Sequence, residues 1–219
     1  MRSNVQTTTK AIVINRTLRS TYQLLAATLL FSGLMAFLSM SLELPYFGIW
    51  ITLGGYFGLL FLVTKLRNSA SGILAVFALT GFMGLTLGPI ISAYTSFFSN
   101  GAELVTMAMT GTAAIFLSLS FYALYSQKDF SFLSGFLTAG IIVAFLAGIA
   151  AYFFNIPTLS LTVSAAFILL MSGLILFETS SIIRGGETNY IMATVTLYIS
   201  IYNLFLSLLQ ILGVFSGED

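Results

Sequence analysis

Long apolar stretches dominate this chain and restrict the folds open to it. Runs of about 20 apolar residues, long enough to cross a bilayer as a helix, follow one another with only short polar segments between them. Of the 219 residues, 58% are hydrophobic and 7% are charged, whereas about a quarter of a soluble domain is charged. The sequence therefore predicts an all-α integral membrane protein. Its seven predicted spans lie near residues 22–42, 46–64, 71–94, 104–125, 131–153, 159–182 and 189–214.

The spans leave little of the chain for any other domain. We expect a polar, disordered N-terminal tail over residues 1–21, a seven-helix transmembrane domain over 22–215 and a short acidic C-terminal tail over 216–219. The first apolar run is long and lacks a convincing small-residue cleavage site in a polar context. We therefore expect it to be retained as an anchor.

The basic residues predict the orientation, because lysine and arginine concentrate in cytoplasmic loops. With seven spans, every basic residue falls on one side, and the opposite gaps hold Glu43, Glu103, the uncharged 155–157 and the terminal Glu218 and Asp219. The pattern predicts a cytoplasmic N-terminus and a periplasmic C-terminus. The basic residues are Arg2, Lys10, Arg16, Arg19, Lys65, Arg67, Lys128 and Arg184.

Small residues and one proline mark the helix surfaces. Glycine and alanine recur at helical spacing, which favours close helix packing. Pro89 lies inside the third span and removes a backbone donor there, so we expect a kink. The small-residue pairs are Gly54 and Gly58 (with Gly55), Gly84 and Gly88, and Ala144 and Gly148.

Glu178 is the only carboxylate inside a predicted span. A charge at that depth costs about 3 kcal/mol, so such groups usually face a bundle interior and serve a function. Glu178 could be a proton-titrating latch or a cation-coordinating group in a cavity. The alternative is a structural carboxyl, hydrogen-bonded or paired with Lys65, Arg67 or Lys128. Arg184, six residues along, does not share its helical face.

Helix seven carries the other candidate residues. Tyr198, Ser200 and Asn203 could assist Glu178 in proton sensing or gating, although Asn203 is better explained as an interhelical hydrogen-bonder. Glu187, at the entry to this helix, is a weak cation-binding candidate. An acid in the first turn of a helix also interacts favourably with the helix dipole without any ligand.

Several enzyme classes are excluded by missing residues. The chain has no His and no Cys, so a serine protease would lack its base. Its only aspartates are Asp129 and Asp219, outside the spans, and residues 189–214 hold no lysine for retinal. No phosphate-binding Gly-x-x-x-x-Gly-Lys occurs. The sequence predicts a protein that is not an enzyme, has no cofactor and does not bind nucleic acid.

Two stretches of the sequence carry a distinctive series of motifs. The first stretch consists of Gly72-Ile73-Leu74-Ala75, Gly81, Gly88-Pro89-Ile90 and Ala108-x-x-x-Thr112-Ala113-Ala114-Ile115-Phe116; the second consists of Leu176-Phe177-Glu178-Thr179-Ser180, Gly185-Gly186-Glu187-Thr188-Asn189-Tyr190 and Leu197-Tyr198-Ile199-Ser200-Ile201-Tyr202-Asn203-Leu204-Phe205. In these motifs the chain resembles the Bax inhibitor-1 family of seven-span membrane proteins, from about Arg16 to the C-terminus. The second stretch is similar to the last two spans of the bacterial branch of that family.

The resemblance implies a fold with six helices around a central seventh. For some members it also implies a proton-sensitive calcium leak governed by two aspartates on helices six and seven. Here the first of those positions is Glu178 and the second is Ser200, which cannot titrate, so a carboxyl pair sharing a proton is not available. Contact between the two positions would require helix seven to start near Tyr190.

The resemblance suggests two functions in the bacterial inner membrane. The bacterial branch implies a regulatory protein that binds the membrane protease FtsH and restrains its proteolysis of membrane proteins. The polar tail, with Arg2, Lys10 and Arg16, would be the handle for that partner. The alternative is a pH-sensitive leak channel or transporter for calcium or another cation.

Overall fold

The seven predicted spans are confirmed. A computed structural model describes residues 2–217, with side chains from Val13 onward, and all regular structure within that range is helical. Seven helices are long and apolar enough to cross a membrane. The helices are α1 (Arg2–Ser41), α2 (Gly48–Leu66), α3 (Ser71–Phe97), α4 (Gly101–Ser126), α5 (Ser134–Phe153), α6 (Pro157–Arg184) and α7 (Tyr190–Ser216), and a single 3₁₀ turn (Ser131–Leu133) precedes α5.

Helix α1 begins much earlier than the predicted span. The expected start was near residue 22, after a disordered tail, whereas the helix runs from Arg2. Neither glycine nor proline occurs before Gly33, so no residue in the tail interrupts helical geometry. The part apolar enough to span a membrane is Val13–Ser41. The side chains of Arg2 and Lys10, and the whole of Glu218 and Asp219, lie outside the described residues.

Close contacts divide the chain into two units. The first holds α1, α2, α3 and the stretch Glu187–Tyr198; the second holds α4, α5, α6 and α7 from Ile199 onward. Helix α3 and helix α7 have the largest buried shares, at 50% and 44% of their most apolar windows. The expectation of a single central seventh helix stays a prediction.

In the first unit, glycines of α3 allow α1 to pack against it. A β-carbon on Gly84 would overlap the carbonyl oxygen of Ser32, and one on Gly88 would lie 2.5 Å from Ser39 Cβ. The α2 pair behaves differently, because a β-carbon on Gly54 or Gly58 would meet nothing within 4 Å. Helix packing at small residues is therefore confirmed for α3 and, within the α2 motif, for Gly55, where a β-carbon would overlap the ring of Phe82 on α3, but it is wrong for Gly54 and Gly58.

Pro89 lies within α3, and a neighbouring helix compensates for its missing donor. Proline cannot donate to the carbonyl four residues back, which here belongs to Leu85. The hydroxyl of Ser39, on α1, donates to that oxygen at 2.8 Å. Ser39 is fully buried, and Gly88 leaves room for it. Serine side chains satisfy freed carbonyls in this way where no water is available.

Replacing Ser39 with alanine is expected to lower the free energy of unfolding by about 1–2 kcal/mol. The change leaves the Leu85 carbonyl buried without that donor, and an orphaned polar group costs this much. Thermal unfolding of the purified protein in detergent measures the loss. Ser41→Ala is the matched control, since Ser41 is exposed and its hydroxyl donates only to Phe37 in its own helix. Equal losses in both variants would contradict the assignment.

The second unit is built around α6, which packs against α4 and α5. Leucines fill the space above glycines on the facing helices, as Leu170 does at Gly140 and Leu137 at Gly173. A β-carbon on Gly148 would lie 3.5 Å from Val163, an ordinary contact distance, and Ala144 is buried, which confirms the packing predicted for the Ala144 and Gly148 pair.

In the second unit, a polar cluster joins the beginning of α6 to the end of α7. The Gln210 amide donates to Ser160 Oγ at 2.6 Å and accepts a hydrogen bond from Ser164 Oγ at 2.7 Å. Gln210 therefore links the first turns of α6 to the last turns of α7. Interhelical bonds of this kind stabilise membrane bundles.

Candidate functional site

Glu178 lies in the interior, as its position in the sequence predicted. Only 6% of its surface is exposed, and its neighbours Thr179 and Ser180 are similarly buried. Glu178 lies six positions before Arg184, the last residue of α6, which places it about 9 Å from that end. Glu178 makes a polar or electrostatic interaction within the protein. The carboxyl is thus built into the helix packing near one end of the bundle.

Ser180, two residues after Glu178 on α6, holds the connection between α4 and α5 in place. The Ser180 hydroxyl donates to the Lys128 carbonyl at 2.8 Å and accepts from the Phe130 backbone N–H at 3.4 Å. One side chain therefore fixes two backbone groups of the loop. The loop can follow this path because Gln127 ends α4 in the left-handed conformation, with φ of 50°.

An ion pair reinforces the same connection. Arg184 donates to Asp129 at 2.9 Å, with both side chains about half exposed. This agrees with the expectation that Arg184 points away from Glu178. Hydrogen bonds from the backbone and side chain of Ser131, aided by the Arg184 charge, hold the pKa of Asp129 below its usual value. The carboxylate therefore stays ionised at neutral pH, and this ion pair is lost only as the pH falls through the lowered pKa.

Lys128, one of the three basic residues considered as partners of Glu178, is engaged elsewhere. Its ammonium donates to the Tyr122 hydroxyl at 3.2 Å and lies 5.8 Å from the centre of that ring. Such a contact is a cation–π interaction at an exposed site.

On α7, the helix start near Tyr190 is confirmed. Ser200 is completely buried. The Asn203 amide donates to Ile199 in its own helix at 2.9 Å, so the described bond of Asn203 is intrahelical. The prediction of an interhelical bond for Asn203 is therefore wrong, because a polar side chain in a helix can reach the carbonyl four residues back.

Tyr198 belongs to the first unit and joins α7 to two other helices. Its hydroxyl lies 2.6 Å from Ser32 Oγ on α1 and donates to the Thr80 carbonyl on α3 at 3.3 Å. Only 1% of Tyr198 is exposed. A large aromatic ring with a satisfied hydroxyl is a strong packing element, and these contacts give Tyr198 a structural role.

The entry to α7 is organised by Asn189. Its side-chain oxygen accepts the backbone N–H groups of Ile191 and Met192, both at 3.1 Å, which makes it the N-cap. Its amide donates to the Arg67 carbonyl and to Asn68, both at 2.9 Å. Glu187 accepts the Asn189 backbone N–H at 2.6 Å. The proposed cation-binding role of Glu187 stays a prediction, and this contact supports its explanation as a helix-entry residue.

Sequence reasoning missed the buried hydroxyls of α1, although the signal was present. Serine and threonine recur on α1 at spacings of four and seven residues, which place them on one face. The hydroxyl residues of this face are buried. Ser32 contacts Tyr198 on α7, Ser39 donates to Leu85 on α3, and Thr17 donates to the Thr188 carbonyl, just before α7, at 3.4 Å. The buried hydroxyl residues are Thr17, Thr21, Thr28, Ser32 and Ser39.

The described part of the chain offers few groups for metal chemistry. Among residues 13–217, no three acidic side chains come together in a way that could hold a metal ion. Neither Glu178 nor Glu187 belongs to such a group there, and hard cations such as Ca²⁺ usually take six to eight oxygen ligands. The site is a buried carboxyl on α6, two residues before the serine that holds the loop between α4 and α5.

Comparison with known proteins gives matches over nearly the whole chain. The family model described as inhibitor of apoptosis-promoting Bax1 matches residues 14–217. The chain is 53% identical to an uncharacterised protein of Pseudomonas aeruginosa, over 94% of this chain and 92% of that protein. It is 49% identical to the modulator of FtsH protease YccA of Escherichia coli K12, over 96% and 95% of the two chains. A second Escherichia coli strain has an equally similar inner membrane protein YccA, with the same coverage.

Proposed function

We propose that this chain, which belongs to the Bax inhibitor-1 family and is a multi-pass protein of the bacterial inner membrane, binds the FtsH membrane protease and restrains its proteolysis of membrane proteins. The observation that carries the proposal is the 49% identity to the modulator of FtsH protease, over 96% of this chain. A match of that extent includes every helix, so the whole fold is shared rather than one motif.

The helix order supports an N-terminus in the cytoplasm and a C-terminus in the periplasm. Lys65, Arg67, Lys128 and Arg184 lie at or just beyond the ends of α2, α4 and α6. Successive spanning helices alternate in direction, so these three ends share the side of the N-terminus. Basic residues mark the cytoplasmic side, where an ATP-driven protease would reach the tail.

The contacts of α1 suggest how the protein would restrain such a protease. A protease that pulls on the tail must withdraw α1 from its partners in the first unit. The Thr194 hydroxyl on α7 donates to the Thr21 carbonyl on α1 at 3.3 Å. Ser32 on α1 and Tyr198 on α7 join the same two helices deeper in the membrane. Hydrocarbon offers no water to replace these bonds. The protein would therefore occupy the protease while yielding slowly to it.

Capture of FtsH by this protein tests the proposal. The full-length chain, produced with a C-terminal affinity tag, is expected to retain FtsH from solubilised membranes, and a variant lacking residues 2–15 is expected to retain much less. The deletion removes the handle with Arg2 and Lys10 and leaves the apolar part of α1 nearly complete. A charge-matched control replaces Arg2 and Lys10 with glutamine at full length. Failure of the full-length protein to retain FtsH would contradict the proposal.

The cation-leak alternative has no specific observation in its favour. Of the two positions that carry aspartates in leak-conducting relatives, one is Glu178 and the other is Ser200, which is buried and cannot ionise. It stays a prediction that calcium-reporting liposomes containing the purified protein would test.

A further inference from the structure

A cavity of about 310 Å³ lies at the Arg184 end of α6. Its wall includes the ion pair of Asp129 and Arg184, the hydroxyl residues Ser131 and Ser181, and the ring of Phe177. The volume is at the lower end of the range for small-molecule sites. The cavity thus has an apolar wall, formed by Phe177, and a polar wall that carries the ion pair and the hydroxyl groups.

The charges of the wall are balanced. Asp129 and Arg184 are its only ionised groups, so the lining has one charge of each sign. A guanidinium has five N–H donors and a carboxylate has about four acceptor positions. Their mutual bond and the Ser131 contact leave N–H donors on Arg184 and acceptor positions on Asp129, and both side chains are about half exposed. The site can therefore contact an anionic and a cationic group of one ligand side by side.

The position of the cavity points to a lipid. Helix α6 spans the membrane and ends at Arg184, so this end lies at the level of the lipid headgroups. Tyr125 and Phe132, at the ends of neighbouring elements, are 82% and 74% exposed. Exposed aromatic residues at helix ends are typical of the membrane interface. A lipid headgroup beside α6 would thus meet the cavity directly.

We propose that this cavity binds the headgroup of phosphatidylethanolamine. Arg184, with the Ser181 hydroxyl, contacts the phosphate, since guanidinium groups bind phosphate through paired charge-assisted hydrogen bonds. Asp129 accepts the N–H groups of the ammonium, and Phe177 packs against the apolar part of the lipid. An anionic phosphatidylglycerol meets repulsion from Asp129, and a choline headgroup has no N–H to donate. The charge balance therefore selects the zwitterion with a free ammonium.

Native mass spectrometry of the full-length protein tests the site. The protein is reconstituted in phosphatidylcholine nanodiscs that contain equal amounts of phosphatidylethanolamine and phosphatidylglycerol with identical acyl chains, and the lipids retained after release are counted. We expect one retained phosphatidylethanolamine, favoured about tenfold over phosphatidylglycerol, as one charge-assisted hydrogen bond would give. Equal retention of the two lipids by the unaltered protein would overturn the proposal.

Two variants give the proposal a directional test. Asp129→Asn leaves the arginine as the only charge in the wall, so the preference is expected to reverse in favour of phosphatidylglycerol. Arg184→Gln is expected to abolish the retained lipid. Lys65→Gln is the control, because it removes a positive charge at the end of α2 without touching the cavity, and its preference is expected to match the unaltered protein. A phosphatidylethanolamine preference that survives Asp129→Asn would refute the assignment, and the exposed loop position of Asp129 keeps that variant folded.

Discussion

Replacing Gly84 with leucine is expected to lower the free energy of unfolding by about 3 kcal/mol or more. Overpacking in a core typically costs about 1–3 kcal/mol, and here the obstacle is backbone. A β-carbon on Gly84 overlaps the Ser32 carbonyl and lies 3.0 Å from Met35 Cβ, so α1 must move away from α3. That movement also breaks the Ser32 contact with Tyr198. We expect little folded protein to accumulate.

Gly54→Leu is the control for this prediction. Gly54 is also a glycine within a spanning helix, but it is exposed and a β-carbon there meets nothing within 4 Å. Leucine has a higher helix propensity than glycine, so Gly54→Leu is expected to leave the free energy of unfolding unchanged or to raise it by up to about 1 kcal/mol. Thermal unfolding in detergent and the yield of monodisperse protein measure both variants. A loss at Gly54 as large as that at Gly84 would contradict the packing described for α3.

Glu178→Lys is expected to destabilise the protein by about 3–5 kcal/mol. The position is 6% exposed, so lysine would place an uncompensated positive charge in the interior, and an uncompensated buried charge costs this much. Glu103→Lys is the control, since Glu103 is exposed in the first turn of α4. There the loss of a favourable interaction with the helix dipole costs at most about 1 kcal/mol. Equal losses at both positions would contradict the structural importance of Glu178.

Glu178→Gln then separates a structural carboxyl from a titrating one. Glutamine keeps the shape and loses the ionisable group. If Glu178 titrates in the folded protein, the difference in unfolding temperature between the two proteins changes with pH, because a group with different pKa values in its folded and unfolded states links stability to pH. A difference that stays constant from pH 5 to pH 8 assigns Glu178 to packing alone in that range.

The spans could be predicted from sequence because each one is set by a single strong physical term. Burying an apolar run in hydrocarbon outweighs local preferences, so the predicted 46–64 span corresponds to Gly48–Leu66 and the predicted 71–94 span to Ser71–Phe97. Helix ends outside the hydrocarbon follow weaker terms. The start of α1 at Arg2 depends on propensity and on the absence of a stop signal, which a hydropathy reading does not weigh.

The interior position of Glu178 was predictable for the same reason, whereas its surroundings were not. A carboxylate in a span must be buried in protein, but the bond from Ser180 to Lys128 depends on the path of a loop. From the sequence, Tyr198 is predicted to be among the residues that could assist Glu178. Its described bonds to Ser32 and Thr80 depend on which helices α7 meets. The buried hydroxyls of α1 were the sequence signal for those bonds.

Turnover of a second membrane substrate of FtsH tests the central claim most directly. Its half-life is followed after protein synthesis is stopped, in cells that lack this chain, contain it at normal level or overproduce it, and with the variant lacking residues 2–15 overproduced to the same level. We predict that overproduction of the full-length chain lengthens the half-life and that the truncated variant does so much less. An unchanged half-life on overproduction of the full-length chain would contradict restraint of the protease.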